Sequence, residues 1–354
     1  MNTEIWKSLQ QLLQKYPQYS DEKPLYEALQ EWLEHNSKEQ DQDALRAERI
    51  GSIVATNIFQ LLSDEHAKDA VPSGFGIYDN IFGGFRKGEL AVVAARPSMG
   101  KSLFLINVAL NMAHNNTGVA FFSFDMSKTN WLTRALGCLA DISTHKILGA
   151  QLTDEEKAAL EQHAEALSRR NLHISDALVT DMEAFAAECR RLVKEHQVSV
   201  IFLDDLQKIG QMSGHTYINR DKEIGRITRM LRQLVNELNI AIICSSQLNR
   251  SVESRGGDKR PQLADIRDSG NIEQDADKVI FLYRPEYYGM CEDEYGASIK
   301  YQIEVIVAKN KYGPTGAVFL QRTKDFTGFR PMESYDDLRE ITLPEERLGD
   351  FDLF

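Results

Sequence analysis

The chain has 354 residues, of which 42% are hydrophobic and 27% are charged, proportions that are ordinary for a globular protein. No stretch approaches the roughly 20 consecutive apolar residues that a membrane-spanning helix requires. The net charge of −12 is concentrated at the ends, since residues 1–70 and 331–354 each carry a net −6 and the remainder is neutral. A neutral middle region can still hold a local basic channel, so the acidic ends do not exclude a nucleic-acid ligand.

The N-terminus and the cysteines predict a cytoplasmic protein. Residues 1–6 show no basic region followed by an apolar run, so no signal peptide is indicated. The four cysteines, Cys138, Cys189, Cys244 and Cys291, lie far apart and form no CxxC pair. We therefore expect reduced thiols rather than disulfides or a metal site.

The first 70 residues predict two helical parts. Apolar residues at helical spacing indicate a small all-α segment over 1–42. A second amphipathic helix falls within 43–70, where it either packs on its own core or docks on a neighbouring subunit. At the other end, residues 331–354 form an acidic tail that is either solvated or binds a partner through its terminal aromatic residues.

From Val71 onward, short apolar runs alternate with longer helical patterns. Strands are predicted at 90–94, 118–124, 198–203, 240–246, 278–283, 301–308 and 316–320, and helices at 103–113, 128–140, 154–169, 180–196 and 220–238. This alternation predicts an α/β domain over 71–330 in which helices flank a mostly parallel sheet. Ligands of such folds bind at the carboxyl ends of the strands.

The most informative motif is Ala-Ala-Arg-Pro-Ser-Met-Gly-Lys-Ser at 94–102, which lies between a predicted strand and a predicted helix. We interpret it as a phosphate-binding loop, although Ala95 stands where the generic motif has glycine. The predicted nucleotide-binding residues are Arg96, Pro97, Ser98, Met99, Gly100, Lys101 and Ser102. Lys101 would reach the β- and γ-phosphates of ATP, and the Ser102 hydroxyl would ligate Mg²⁺.

Other predicted strands also end in polar residues. Asp204 follows an apolar strand and is our candidate for holding Mg²⁺, although the adjacent Asp205 leaves the choice open. Asp125 would polarise the attacking water if its strand neighbours the loop strand, or else cap the next helix. Gln247 would sense the γ-phosphate, or cap its strand.

Two cations, Lys309 and Lys311, end the predicted strand at 301–308. At this position they would reach across a subunit interface to stabilise phosphate charge in the transition state. The alternative is a solvated hairpin end before Gly313-Pro314.

The region from about Val71 to Arg330 resembles the C-terminal motor domain of DnaB-type replicative helicases, both in these motifs and in their order along the chain. The matching segments are Pro72–Phe75, Gly83–Phe85, Gly88–Leu90, Ala94–Ser102, Ser123–Ser127, Leu203–Gln207, Ser246–Arg250, Ile266–Asp277, Tyr283–Arg284 and Ala308–Gly316. The resemblance implies a RecA-like P-loop NTPase fold and a homo-hexameric ring. It also implies ATP hydrolysis at the subunit interfaces, with 5′ to 3′ movement along single-stranded DNA.

The same resemblance implies roles for individual residues. Lys101, Ser102 and Asp204 match the phosphate and magnesium residues, Asp125 the catalytic glutamate and Gln247 the sensor. Lys309 and Lys311 match the cationic pair supplied by the neighbouring subunit. Arg267, Asp268 and Gly270 match a loop that tracks the DNA backbone.

Three positions depart from the family pattern: Asp125 replaces glutamate, Lys311 replaces the arginine finger, and Asp205 replaces a tyrosine. Lysine lacks the planar bidentate geometry of arginine, and aspartate reaches one methylene less far than glutamate. The departures leave open a weakly hydrolysing ATP-dependent DNA clamp or helicase loader. A filament-forming recombination ATPase is a third hypothesis. The short N-terminal part leaves the loader and primase partners undetermined.

Overall fold

A computed structural model describes residues 69–177, 182–209, 220–255, 257, 259–266, 269–293 and 295–332. The predicted all-α segment, nearly all of the linker helix and nearly all of the acidic tail lie outside these described residues, as do Arg267 and Asp268. No helix within the described ranges has both the length and the apolar character needed to cross a membrane.

The described elements follow one another in an alternating α/β order. They are β1 (Ala70–Val71), α1 (Gly76–Phe82), β2 (Phe85–Arg86), β3 (Leu90–Ala95), α2 (Lys101–His114), β4 (Val119–Ser123), α3 (Lys128–Ala140), α4 (Thr144–Leu148), α5 (Asp154–Ser168), β5 (Leu172–Ser175), α6 (Met182–His196), β6 (Val200–Asp204), α7 (Arg220–Leu238), β7 (Ala241–Gln247), α8 (Ser251–Ser254), α9 (Ser269–Asp275), β8 (Lys278–Tyr283), β9 (Gln302–Asn310), β10 (Gly316–Arg322) and β11 (Phe329–Pro331). Short 3₁₀ helices occur at Leu206–Lys208, Leu263–Asp265 and Pro285–Tyr288.

Strands β3 to β11 form a single sheet in the order β11-β10-β9-β8-β3-β7-β6-β4-β5. The six strands from β8 to β5 in this order run parallel, and β9, β10 and β11 continue the sheet antiparallel. The phosphate-loop strand β3 is therefore central, with β7 on one side and β8 on the other. This arrangement confirms the predicted α/β fold with a mostly parallel sheet.

The core lies on both faces of the sheet, because successive side chains of a strand point to opposite faces. All six residues of β3 are buried. Ala91, Val93 and Ala95 pack in a cluster with Phe104 of α2. Leu90, Val92 and Ala94 pack in a second cluster with residues of α6 and α7. A strand that is buried on both faces has a continuous apolar sequence, which explains why these strands could be predicted.

Helix starts follow from local capping. Ser127 precedes α3 and accepts a hydrogen bond from the backbone N–H of Asn130 at 3.3 Å. Thr153 and Glu156 form a reciprocal capping box at the start of α5. The cap of this helix is therefore Ser127, and not Asp125.

The sequence does not predict two strands of the sheet. Strand β5 (Leu-His-Ile-Ser) is a half-buried edge strand with alternating polar residues, so it lacks a continuous apolar run. Strand β11 has three residues, and two of them are exposed. Both are the outermost strands of the sheet, where side chains are least buried. A less buried strand needs fewer apolar residues, so its sequence indicates a strand less clearly.

Candidate nucleotide site and intersubunit cations

The loop between β3 and α2 has the backbone geometry of an anion site. Gly100 has φ +99°, which favours glycine, and a Cβ there would lie 2.7 Å from Cζ of Phe326. Ser98 also has a positive φ of 65°. Helix α2 begins at Lys101, so its first backbone N–H groups and the positive end of its dipole face the loop.

The predicted nucleotide residues do not share one environment. Lys101 and Ser102 are half-buried at the start of α2, the helix that directly follows the loop. Pro97 and Ser98 are exposed, whereas Met99 is buried in the core on the α2 side of the sheet. Met99 therefore supports the loop from behind, and only its backbone is available to a nucleotide.

The guanidinium of Arg96 is committed to the segment that follows β7. Its Nε and Nη2 donate to Oε1 of Glu253 at 2.9 and 2.8 Å, and its Nη1 donates to the carbonyl of Leu248 at 2.9 Å. Arg96 is nearly buried, with 9% exposure. Its side chain thus ties the phosphate loop to α8.

The end of β6 carries two buried carboxylates of different character. Oδ1 of Asp204 accepts a hydrogen bond from the Ser245 hydroxyl at 2.5 Å. Oδ2 of Asp204 is buried, and no group in the described part of the chain donates a hydrogen bond to it. A buried carboxylate oxygen without a partner is costly unless a ligand or cation binds it. Asp204 therefore fits the predicted Mg²⁺ role.

Asp205 is instead held by its protein neighbours. Its carboxylate accepts hydrogen bonds from the backbone N–H of Gln207 and from Nε2 of Gln247, both at 2.9 Å. Burial raises the pKa of Asp205, and the Gln207 N–H and the positive charge of Lys101 oppose that rise. Gln207 and Gln247 thus hold the Asp205 carboxylate in place.

Gln247 is part of a network at the ends of β6 and β7. Besides its bond to Asp205, its backbone N–H donates to Oε1 of Gln207 at 3.3 Å. Nε2 of Gln207 donates to the Ser246 hydroxyl at 2.8 Å. Gln247 was predicted from the sequence, but the buried Gln207 was not, although Gln207 lies in the motif Leu-Asp-Asp-Leu-Gln. Its hydrogen-bond partners come from β7, a distant segment, so the sequence alone does not indicate them.

Asp125 follows a strand that does not neighbour the phosphate-loop strand β3. Its strand β4 pairs with β6 and β5, so β7 and β6 separate it from β3. The condition attached to its catalytic role, that β4 neighbours β3, is not met. The backbone N–H of Phe124 does bond the Asp204 carbonyl at 2.7 Å, and the exposed Asp125 carboxylate pairs with Lys208 Nζ at 3.3 Å.

Lys309 and Lys311 lie at the amino edge of the sheet, where the parallel strands begin, whereas the phosphate loop lies at the carboxyl edge, where these strands end. Strand β9 is antiparallel to β8, and Lys309 is level with Val279 at the beginning of β8. The beginning of β8 is in turn level with Ala91 at the beginning of β3. The loop follows β3 at its other end, roughly 13 Å away at 3.3 Å per residue. These lysines therefore cannot serve the phosphate loop of their own subunit.

A cluster beside the phosphate loop was not predicted. Nη1 of Arg284 donates to the Ser98 carbonyl at 2.9 Å, and its guanidinium lies 4.5 Å from the Phe326 ring centroid. Both Arg284 and Arg322 pair with Glu286, at 2.5 and 2.6 Å. The motif Tyr283-Arg284 was the only sequence signal for this cluster, since its other members come from distant segments.

Gly270 is the second residue of α9, which directly follows the undescribed Arg267 and Asp268. It is exposed, and a Cβ at this position would meet nothing within 4 Å. A side chain at position 270 would therefore meet no steric obstacle among the described residues.

The chain matches the family model of the DnaB-like helicase C-terminal domain over residues 70–331. Replicative DNA helicase DnaB of Geobacillus stearothermophilus is 39% identical over 286 residues, which cover 80% of this chain and 62% of that protein. Replicative DNA helicase DnaC of Bacillus subtilis (strain 168) is 38% identical over 283 residues, covering 79% and 61%. The chain thus spans about three fifths of the length of these two curated relatives.

Solved structures give the same result. A solved ATPase domain superposes with a TM-score of 0.72 at 31% identity, covering 81% of this chain and all of that one. A structure described as a DnaB-like replicative helicase and its interactions with primase superposes with a TM-score of 0.71 at 29% identity, covering 94% and 76%. The family match, the sequence identities and the shared fold agree with the sequence resemblance, and the chain belongs to the family of DnaB-like helicase C-terminal domains.

Proposed function

We propose that this protein is an ATP-dependent DNA helicase that moves 5′ to 3′ on single-stranded DNA as a homo-hexameric ring. The observation that carries the proposal is the division of the site. The phosphate loop and Asp204 lie at one edge of the sheet, and the cations Lys309 and Lys311 lie at the other. Such a subunit completes its hydrolytic site only with a neighbour, and a closed ring provides a neighbour for every subunit.

Within one subunit, the residues at the carboxyl ends of β3, β6 and β7 bind and sense ATP. The backbone of Arg96–Gly100 and the Lys101 ammonium hold the phosphates, while the Ser102 hydroxyl and Asp204 Oδ2 would hold Mg²⁺. When bound, Mg²⁺ neutralises phosphate charge that develops during transfer. Gln247 reports the state of the phosphates through Asp205 and Gln207, its hydrogen-bonded partners.

Asp125 follows β4, which does not neighbour β3. The bond from the Phe124 N–H to the Asp204 carbonyl nevertheless supports a role for Asp125 in orienting the attacking water once its pairing with Lys208 is released. Lys309 and Lys311 stabilise the transferring phosphoryl group of the neighbouring subunit. Arg267, Asp268 and Gly270 track the DNA backbone, and a few such contacts per subunit suffice because the ring repeats them.

The regions outside the described residues are proposed as partner sites. Residues 1–42 would form a small helical domain and 43–70 a linker helix, before a motor domain over 71–330. A loader, a primase or another replication or mobile-element partner would bind this N-terminal part or the acidic tail over 331–354. A helicase of this kind acts on DNA, so we expect a cytoplasmic location.

Strand displacement on a forked DNA with a 5′ single-stranded tail tests the proposal. We expect ATP-driven unwinding that is abolished by Lys101→Ala, because the ammonium that binds the phosphates is lost. A fork with only a 3′ tail serves as the polarity control. ATP-dependent DNA binding without any unwinding would contradict the proposal.

A second candidate function is a weakly hydrolysing ATP-dependent DNA clamp or helicase regulator. It is favoured by the pairing of Lys311 with Asp277 and of Asp125 with Lys208, which engages both unusual residues within the subunit. The double substitution Asp125→Glu with Lys311→Arg separates the two functions. A gain in ATP turnover well above 10-fold would favour the clamp. For a helicase we expect the double variant to change turnover by less than about 10-fold, which corresponds to a change of less than about 1.4 kcal/mol in the activation free energy.

A further inference from the structure

The carboxylate of Asp277, directly before β8, lies between two cations and a backbone donor. Its Oδ1 is 2.9 Å from Nζ of Lys311, and its Oδ2 pairs with Arg232 of α7. Oδ2 also accepts the backbone N–H of Leu90, the first residue of β3, at 3.0 Å. The Asp277 side chain has no exposed surface, so these contacts fix its position.

Lys309 is held by the same short segment of chain. Its Nζ donates to the carbonyl of Glu273 at 2.5 Å and lies 3.5 Å from that of Gln274, both near the end of α9. Cations are favoured at a helix C-terminus, where the carbonyls lack backbone partners. Burial, followed by the positive charge of Lys311, lowers the pKa of Lys309.

We propose that Asp277 is a positioning residue that holds Lys311 in the orientation needed to reach the phosphates of the neighbouring subunit. This inference rests on the proposed function, in which Lys311 acts across the interface. Lysine is a point charge on a flexible four-carbon stem, so an unanchored Lys311 would lose considerable conformational entropy on binding a phosphate. The contact with a fixed carboxylate restricts that freedom before the phosphate arrives.

The electrostatics and the exposure agree with positioning rather than sequestration. The Lys311 side chain remains 42% exposed, so its ammonium is accessible to a second ligand. Arg232 and Lys311 set two positive charges against the single negative charge of Asp277. An uncompensated carboxylate would instead attract the ammonium away from an incoming phosphate.

Asp277→Asn tests the inference, because it removes the charge that holds Lys311 and retains an oxygen for the Leu90 N–H. We expect kcat for ATP hydrolysis to fall about 10-fold or more, since even a small displacement of a catalytic group is costly, with KM for ATP nearly unchanged. Glu237→Gln is the matched control, because it breaks an exposed pair with Arg190 elsewhere on the same fold. We expect this control to leave kcat unchanged.

Subunit mixing separates positioning from a general structural defect. In a ring that mixes Asp277→Asn with Lys101→Ala, some interfaces combine an intact phosphate loop with an intact Asp277–Lys311 pair. We therefore expect mixing to raise the ATPase rate above the rate that either preparation shows alone. If thermal unfolding shows that Asp277→Asn is not folded, the same measurements are made on Asp277→Glu, which keeps the charge but displaces it.

Three outcomes would overturn the inference: an unchanged kcat in the Asp277 variant, an increased kcat, or no restoration on mixing when the variant is folded. Mixing Lys311→Gln with Lys101→Ala tests the underlying function separately. If that pair fails to restore activity, Lys311 does not act across the interface. If it succeeds while the Asp277 variant fails, only the role of Asp277 is refuted.

Discussion

The polar residues at the carboxyl edge of the sheet, where the parallel strands end, differ in their surroundings from those at the amino edge, where these strands begin. At the carboxyl edge of the parallel strands, Asp204 keeps one buried oxygen without a hydrogen-bond donor among the described residues, and Lys101 lies at the start of α2. At the amino edge, Lys309 and Lys311 are bound by carbonyls and by Asp277 of their own chain. The first edge is arranged to receive a ligand, and the second is arranged to present two charges. Under the proposed function, one domain thus supplies both halves of a site that two subunits complete.

The largest effect is expected from substitutions at the carboxyl edge. Asp204→Asn removes a charge from the Mg²⁺ position, and we expect ATP hydrolysis to fall by about 10²-fold or more. Mixed with Lys101→Ala, this variant should restore no activity, because both changes damage the same half of the site. Restored ATPase activity on mixing would contradict the assignment of both residues to one edge.

The amino edge also contains a buried pair whose role we expect to be purely structural. Lys278 and Glu89 lie 3.2 Å apart with side-chain exposures of 2% and 0%, and Lys278 also donates to the Gly84 carbonyl. Burial raises the pKa of Glu89 and lowers that of Lys278, and in each case the partner's charge opposes the shift. Lys278→Met should lower the free energy of unfolding by about 3 kcal/mol, because it strands a buried carboxylate.

Urea unfolding measures this loss, and the double variant with Glu89→Gln provides the control. We expect the double variant to recover part of the stability, since no unpaired charge remains buried. Equal destabilisation in the single and double variants would show that packing, not charge, sets the effect.

A smaller loss is expected from the second carboxylate at the carboxyl edge. Asp205→Asn keeps an oxygen that can accept the hydrogen bonds of Gln207 and Gln247, so we expect ATP hydrolysis to fall about 10-fold. Comparison with Asp204→Asn in the same steady-state assay sharpens the assignment of Mg²⁺. A larger loss in Asp205→Asn than in Asp204→Asn would move the metal role to Asp205.

The smallest effect concerns acid stability beside the phosphate loop. Burial favours the neutral form of Glu286, but hydrogen bonds from Arg322 and Arg284 outweigh it and lower its pKa to about 2. A lowered carboxylate pKa stabilises the fold above the unfolded value near 4.5, and this contribution is lost as the pH falls toward 2. We expect Glu286→Gln to be less stable than wild type at pH 7, with the difference shrinking below pH 4.5. A pH-independent difference in urea unfolding would refute this origin.

The apolar strands and the phosphate loop could be predicted because their signals are local. Strand β3 is buried on both faces and therefore has a continuous apolar sequence, and the Gly-Lys-Ser motif follows it directly. Helices α3 and α7 have the predicted bounds, and α2, α5 and α6 differ from them by at most two residues. The edge strand β5 lacked such a signal, because it is half-buried and contains polar residues.

Strand order was not available from the same patterns. A carboxylate after an apolar strand looks alike at Asp125 and Asp204, yet β4 is separated from β3 by two strands and β6 by one. The guanidinium of Arg96 provides a second case. Its position in the loop predicted nucleotide binding, whereas its partners Glu253 and Leu248 come from a distant segment.

The sequence by itself determined the α/β alternation and the Gly-Lys-Ser motif that we propose binds phosphate, because periodicity and short motifs are properties of neighbouring residues. Only the tertiary structure decided which edge of the sheet each polar residue occupies. Lys309 and Asp204 both end strands, but β9 runs antiparallel to β8 while β6 runs parallel to its neighbours. Strand direction depends on pairing between distant segments, and that pairing placed the two halves of the proposed site on opposite edges.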